Sequence, residues 1–267
     1  MLTRHDNAYT RAVTEPAGAS TNDQRAALLG LLAEIPAEDW ARPTACRGWP
    51  VRDVVAHLVE GELLFGRIYR GELRALTRED ADAEAGVARW SHADSDTLRF
   101  SLWHHGTATQ RVIDSRSGAS WDRELPIFEE PGRLGDVLGI HFFDLALHSH
   151  DVSNALGAAS LWGDRVAAIA SYCVSRAPVL LDRAAIAEPD GLTVEVEGAG
   201  SWTLARTDGA WRIVPDEASG RWITDATTLV EATAGRILPG EAVERSKVEG
   251  DPGAIEQLIA AWRLKSG

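Results

Sequence analysis

Cysteine is scarce in this chain, with two thiols, Cys46 and Cys173, in 267 residues. Two are too few for a disulfide framework, so a reducing compartment is the simplest setting. Basic residues are also short, 27 Lys and Arg against 40 Asp and Glu, for a formal net charge of −13 at pH 7. Nucleic acid and anionic membrane surfaces are bound through basic patches, so neither is expected as a partner. No apolar run approaches the roughly 20 residues of a membrane-spanning helix. Residues 1–20 lack the apolar core of a secretory signal, which points to the cytoplasm. No internal repeat is visible. What remains is ordinary for a globular chain, 45% hydrophobic and 25% charged. Ten tryptophans are enough to pack cores and to line a pocket.

Residues 1–20 show no apolar period and read as a mobile arm. A helix is expected from the capping side chains Thr21, Asn22 and Asp23 through RAALLGLLAEI. The segment 39–50 holds Pro43, Gly48 and Pro50 and reads as a loop. Pro50 suits the first turn of a second helix, to about Tyr69, with Val51, Val54, Val55, Leu58 and Phe65 on its apolar face. His57 lies at the edge of that face, and Glu60 and Glu62 read as solvated. A third helix is expected over about 94–115, where core packing is the simplest reading of His104 and His105. A further one covers about 161–182, with Pro178 as a kink or end.

The densest chemistry lies in 133–156. Leu134, Leu138, Leu145 and Val152 recur at helical spacing. At 100° per residue, His141, Asp144, His148 and Asp151 fall within an arc of roughly 80° beside that stripe, while His150 points elsewhere. Buried charge is costly unless it is paired or coordinates a metal. Two readings stay open on the residues alone: a hydrogen-bonded polar seam, or a metal site. Helix bundles build metal sites from side chains on facing helices, and a two-histidine, one-carboxylate set leaves coordination positions free, as catalytic sites do.

After Glu188 the pattern changes to alternation. Residues 192–196 read as a strand, and 202–205 and 211–214 flank Thr207-Asp208-Gly209, a hairpin signal. Residues 222–224 and 229–232 extend a sheet or begin a helix, and AIEQLIAAWRL is an amphipathic helix. The expected architecture is an arm over 1–20, a mainly α four-helix bundle over 21–187 and a small α+β domain over 188–267.

The segment from Trp40 to Leu58, W-A-R-P-T-A-C-R-G-W-P-V-R-D-V-V-A-H-L, resembles the N-terminal signature of the DinB-like, mycothiol-dependent maleylpyruvate isomerase family. Asp144-x-x-x-His148-x-x-Asp151 resembles its second signature. The C-terminal part resembles its sterol-carrier-like domain, with Ala234-Gly235-Arg236 near the end. The resemblance implies a zinc or other divalent ion held by His57, Asp144 and His148, with mycothiol or a similar thiol as cosubstrate. It implies thiol-assisted isomerisation of, or S-transfer to, a small electrophilic substrate. The family usually carries glutamate where this chain has Asp144, one methylene shorter. Asp151 is expected to orient His148 or another ligand, or else to be a plain surface or capping carboxylate. Arg236 is expected to pair with a carboxylate of thiol or substrate. A metal-dependent hydrolase and a non-catalytic metal-binding regulator are the alternatives.

Overall fold

The computed structural model describes residues 6–186, 189–216 and 218–263. The described residues divide into two compact units, one up to Gly163 and one from Asp164 onward.

The first unit is helical. Helix α1 spans Asp6–Glu34, α2 Val51–Arg70, α3 Ala83–Arg89, α4 Ser95–Asp114 and α5 Leu134–Ala155. α1 and α2 each pack against both α4 and α5, so the four long helices close around one core. Leu28, Val55, Leu58, Leu102 and Leu145 fill it, each worth about 1.5–3 kcal/mol of burial.

Local chemistry sets the helix ends. α2 begins after Pro50 and stops at Gly71, whose φ of 80° is the left-handed conformation that terminates helices. Asp94 caps α4 by accepting from the Thr97 N–H at 2.8 Å. α5 is buried on nearly every side. This explains why its polar residues must find partners inside the protein.

The expected arm is in part corrected. Residues 1–5 lie outside the described residues, but helix begins at Asp6, not at Thr21. Thr21, Gln24 and Arg25 are buried polar residues within α1. The Gly18 carbonyl accepts from Gln110 Nε2 of α4 at 3.2 Å, which ties this part of the helix to the bundle.

The second unit begins earlier than expected. Helix α6, Val166–Arg183, belongs to it, although the sequence reading placed that segment in the bundle. The expected boundary at Ala187 and Glu188 lies outside the described residues. α6 packs against the sheet: Trp211 donates its backbone N–H to Asp182 Oδ1 at 2.9 Å, and its Nε1 to the Ile186 carbonyl at 3.0 Å. Pro178 neither ends the helix nor stops it short of Arg183.

The sheet comprises β1 Gly191–Val196, β2 Gly200–Thr207, β3 Ala210–Val214, β4 Arg221–Thr224 and β5 Lys247–Glu249, in the order β3-β2-β1-β4-β5. β1 pairs antiparallel with β2 and parallel with β4. Asp208 and Gly209, at φ 53° and 81°, close the expected β2–β3 hairpin. Helices α7 Ala226–Thr233, α8 Pro239–Glu244 and α9 Pro252–Ala261 complete the unit.

Candidate metal centre

The loop before α2 is a small hydrogen-bonded hairpin. Thr44 N and Oγ1 both donate to the Trp49 carbonyl, at 3.2 and 2.8 Å, and Trp49 N donates to the Cys46 carbonyl at 3.0 Å. The turn points Cys46 inward and lays Trp49 beside two histidines, 5.2 Å from the His57 ring and 6.4 Å from the His148 ring. Trp49 Nε1 is anchored to Glu84 of α3 at 3.1 Å.

His57 comes from α2, and Asp144 and His148 stand one turn apart on α5. His57 Nε2 is 3.4 Å from Asp144 Oδ1, and His148 Nε2 is 3.5 Å from the same oxygen. The two imidazoles meet edge to face at 4.7 Å. A donor from each residue lies within 4.8 Å of the other two. Donors about 2.0–2.1 Å from a tetrahedral zinc stand roughly 3.3 Å apart, so this set fits a divalent cation with little movement. Asp144, for all its short side chain, reaches both histidines. The His57 and Asp144 side chains are 18% and 27% exposed, so the cluster is accessible on one side; His148, at 5%, is not.

The other face of His148 is closed. Its Nδ1 lies 3.0 Å from Asp151 Oδ2 and 3.4 Å from Cys46 Sγ, and the Cys46 thiol donates to the same Asp151 oxygen at 3.1 Å. A carboxylate on Nδ1 keeps a ring proton there, so Nε2, facing Asp144 and His57, is the nitrogen a cation would take on displacing its proton. Cys46, His148 and Asp151 also converge within 4.8 Å. Their mutual hydrogen bonds account for that approach.

The charges are tightly coupled. Burial works to raise the pKa of Asp144. The charge of His57 and hydrogen bonds from both histidines outweigh it and hold the carboxyl far below its usual range. Burial works to lower the pKa of His148. Asp144, Asp151 and Cys46 outweigh it, and the imidazole is held well above its usual value. Positive charge is thus favoured at this point of the bundle.

The remaining sequence candidates separate. His141 is absent from the cluster and lies in a second, deeper one. His150 faces away, with Nε2 at 2.8 Å from Asn154 Nδ2 and its ring stacked on Trp162. His104 is exposed and stacks on Phe100, not in the core. Arg236 belongs to the second unit, just after α7.

Two contributors escaped the sequence reading. Cys46 stands in the Trp40–Leu58 signature with no role assigned to it. Glu62, read as solvated, is 2% exposed and pairs with Arg25 at 2.6 Å. Its signal was present in the sequence, since it is four residues after Leu58 and three before Phe65, on the buried face.

Burial alone would raise the Glu62 pKa; His141 and then Arg25 outweigh it and lower it from 4.5 to about 2. A depressed folded-state pKa contributes stability that is present above pH 4.5 and lost as pH falls toward 2. Urea midpoints taken from pH 5 to pH 2 should therefore show a loss of roughly 3 kcal/mol from this group. The double variant R25M/E62L, which removes both charges of the buried pair, should lack that component; an identical pH slope in it would refute the assignment.

Comparison with known proteins agrees with these observations. Residues 21–153 match the family described as "Mycothiol maleylpyruvate isomerase N-terminal domain". Two uncharacterised proteins from two strains of Mycobacterium tuberculosis are each 25% identical over 131 residues, 49% of this chain and 62% of theirs. The match thus spans less than two thirds of those relatives. A crystal structure of the mycothiol-dependent maleylpyruvate isomerase aligns with a TM-score of 0.60 at 15% identity, covering 93% of this chain and 95% of that one. The structure of a histidine-to-alanine mutant of that enzyme aligns equally well. At this identity the likeness establishes a shared fold.

Proposed function

Because residues 21–153 belong to the mycothiol maleylpyruvate isomerase N-terminal domain family, we propose that this protein is a metal-dependent enzyme that uses a low-molecular-weight thiol. The thiol is mycothiol or one of its class, and the substrate is a small electrophilic metabolite that is isomerised or receives the sulfur. The observation that carries this reading is the convergence of His57, Asp144 and His148 at a partly exposed point. A zinc or similar ion held there supplies Lewis acidity and the thiolate form of a thiol, whose free pKa near 8.5 leaves it mostly protonated at neutral pH.

The chain's own residues do the rest. His57 and His148 present Nε2, and Asp144 supplies the anionic donor between them. Asp151 holds the Nδ1 proton of His148, so the ring cannot turn its lone pair away. Trp49 covers one flank and limits water near the histidines. Arg236, on this reading, binds a carboxylate of thiol or substrate bidentately. No described helix is long and apolar enough to cross a membrane, and a cytoplasmic setting would supply reduced thiol.

The test is a cobalt-substituted protein titrated with mycothiol. A sulfur-to-metal charge-transfer band should grow with thiol concentration, and turnover of electrophilic substrates should require the thiol. If a panel of cellular thiols leaves the spectrum unchanged while hydrolysis proceeds in water alone, a metal-dependent hydrolase replaces this reading.

A further inference from the structure

A second polar cluster lies within the bundle and takes no part in the chemistry above. Arg25 of α1 and Glu62 of α2 are 3% and 2% exposed and meet at 2.6 Å. His141 of α5 brings Nε2 to 3.3 Å from the same Glu62 oxygen. Tyr69 Oη lies 3.3 Å from His141 Nδ1, and Phe65 stacks on the His141 ring with centroids 4.4 Å apart. Arg25 occupies space over Gly106 of α4, where any side chain would collide with its guanidinium. All four long helices thus meet at this point.

Such a cluster is a poor source of stability. A buried ion pair roughly breaks even against apolar groups of the same volume. Among the described residues, Arg25 Nη2, Glu62 Oε2 and His141 Nε2 are also buried without a hydrogen-bond partner, which adds cost. The acid sensitivity of Glu62 is consistent with this. It compares ionised with protonated Glu62, not the cluster with an apolar core.

What the cluster does supply is register. α2 carries His57, and α5 carries Asp144 and His148. Apolar ridges tolerate sliding, whereas a buried carboxylate facing an imidazole does not. A slip of one turn, about 5.4 Å, would part His57 from Asp144, now 3.4 Å away. Fixing register is the best-attested use of buried polar groups.

We infer that Glu62 and His141, braced by Arg25 and Tyr69, are positioning residues that fix α2 on α5 and so set the spacing of His57 from Asp144 and His148. The inference rests on the reading of those three as metal ligands.

Glu62→Gln would strand the Arg25 charge in the interior and destabilise the fold, so the decisive variant is the double R25M/E62L, in which both charges leave together. Three quantities are measured: cobalt and zinc affinity by competition with a chromophoric chelator, the cobalt ligand-field spectrum, and the melting midpoint of metal-free protein. The expected result is a midpoint held or raised, metal affinity lower by about tenfold or more, and an altered spectrum. Ile113→Val, a core trim where α4 meets α1, should lower the midpoint and leave affinity unchanged. Parental affinity and spectrum in a folded double variant overturn the inference. A double variant that cannot fold overturns it as well, by showing the cluster to be a stability element. A parent that binds no metal overturns instead the reading on which it rests.

Discussion

His148→Ala is expected to abolish metal binding, with loss beyond the roughly 10–100-fold that removing an outer partner costs. Both nitrogens of this ring are committed, Nε2 toward Asp144 at 3.5 Å and Nδ1 toward Asp151 at 3.0 Å. Alanine therefore removes a donor and takes the imidazole from a carboxylate that is 1% exposed, leaving it the Cys46 thiol. His57→Ala removes a donor from the more exposed side and should lose metal with less damage to the fold. The measurement is elemental analysis after dialysis against metal-free buffer, where the parent should retain about one ion per chain, as a single three-donor site implies. Chelation of the parent should lower its melting temperature, because an ion bound only by the native state stabilises it by mass action. Full metal content in both alanine variants would end the metal-centre reading.

Asp144→Ala and Asp144→Glu should part company. In the alanine variant two imidazoles face each other at 4.7 Å with no anion between them, and affinity should fall by about 100-fold or more. Glutamate keeps the charge and adds one methylene of reach, so affinity should stay within about tenfold of the parent. Calorimetric titration of metal into both variants would decide. If the alanine variant binds as tightly as the parent, the ion does not use Asp144. The buried group of Cys46, His148 and Asp151 would then be the better site, through the other nitrogen of the same ring.

Some of this architecture was readable one residue at a time. The spans of α2, α4 and α5 follow from apolar periods bounded by Pro50, Asp94 and Gly71, because local sterics and capping act within a turn. The β2–β3 hairpin follows from Asp208-Gly209 for the same reason. Residues 229–232 fit a strand as well as a helix, and only packing against α6, α8 and α9 makes them part of α7.

By itself, the sequence determined the helical and strand segments with strong periods. It also determined the order of the two signatures, whose resemblance to a known family put forward His57, Asp144 and His148 as candidate donors. Tertiary structure alone decided the rest. It assigned α6 to the second unit, since an apolar stripe does not name the surface it will cover. It split His141 from Asp144 and His148, although all three share one arc of α5, because α2 offers Glu62 and Tyr69 at one level and His57 at another. It also turned Cys46 into a neighbour of His148 across 102 residues of chain. Residues distant in sequence become partners only when burial forces each polar group to find one, and no local pattern records which partner that will be.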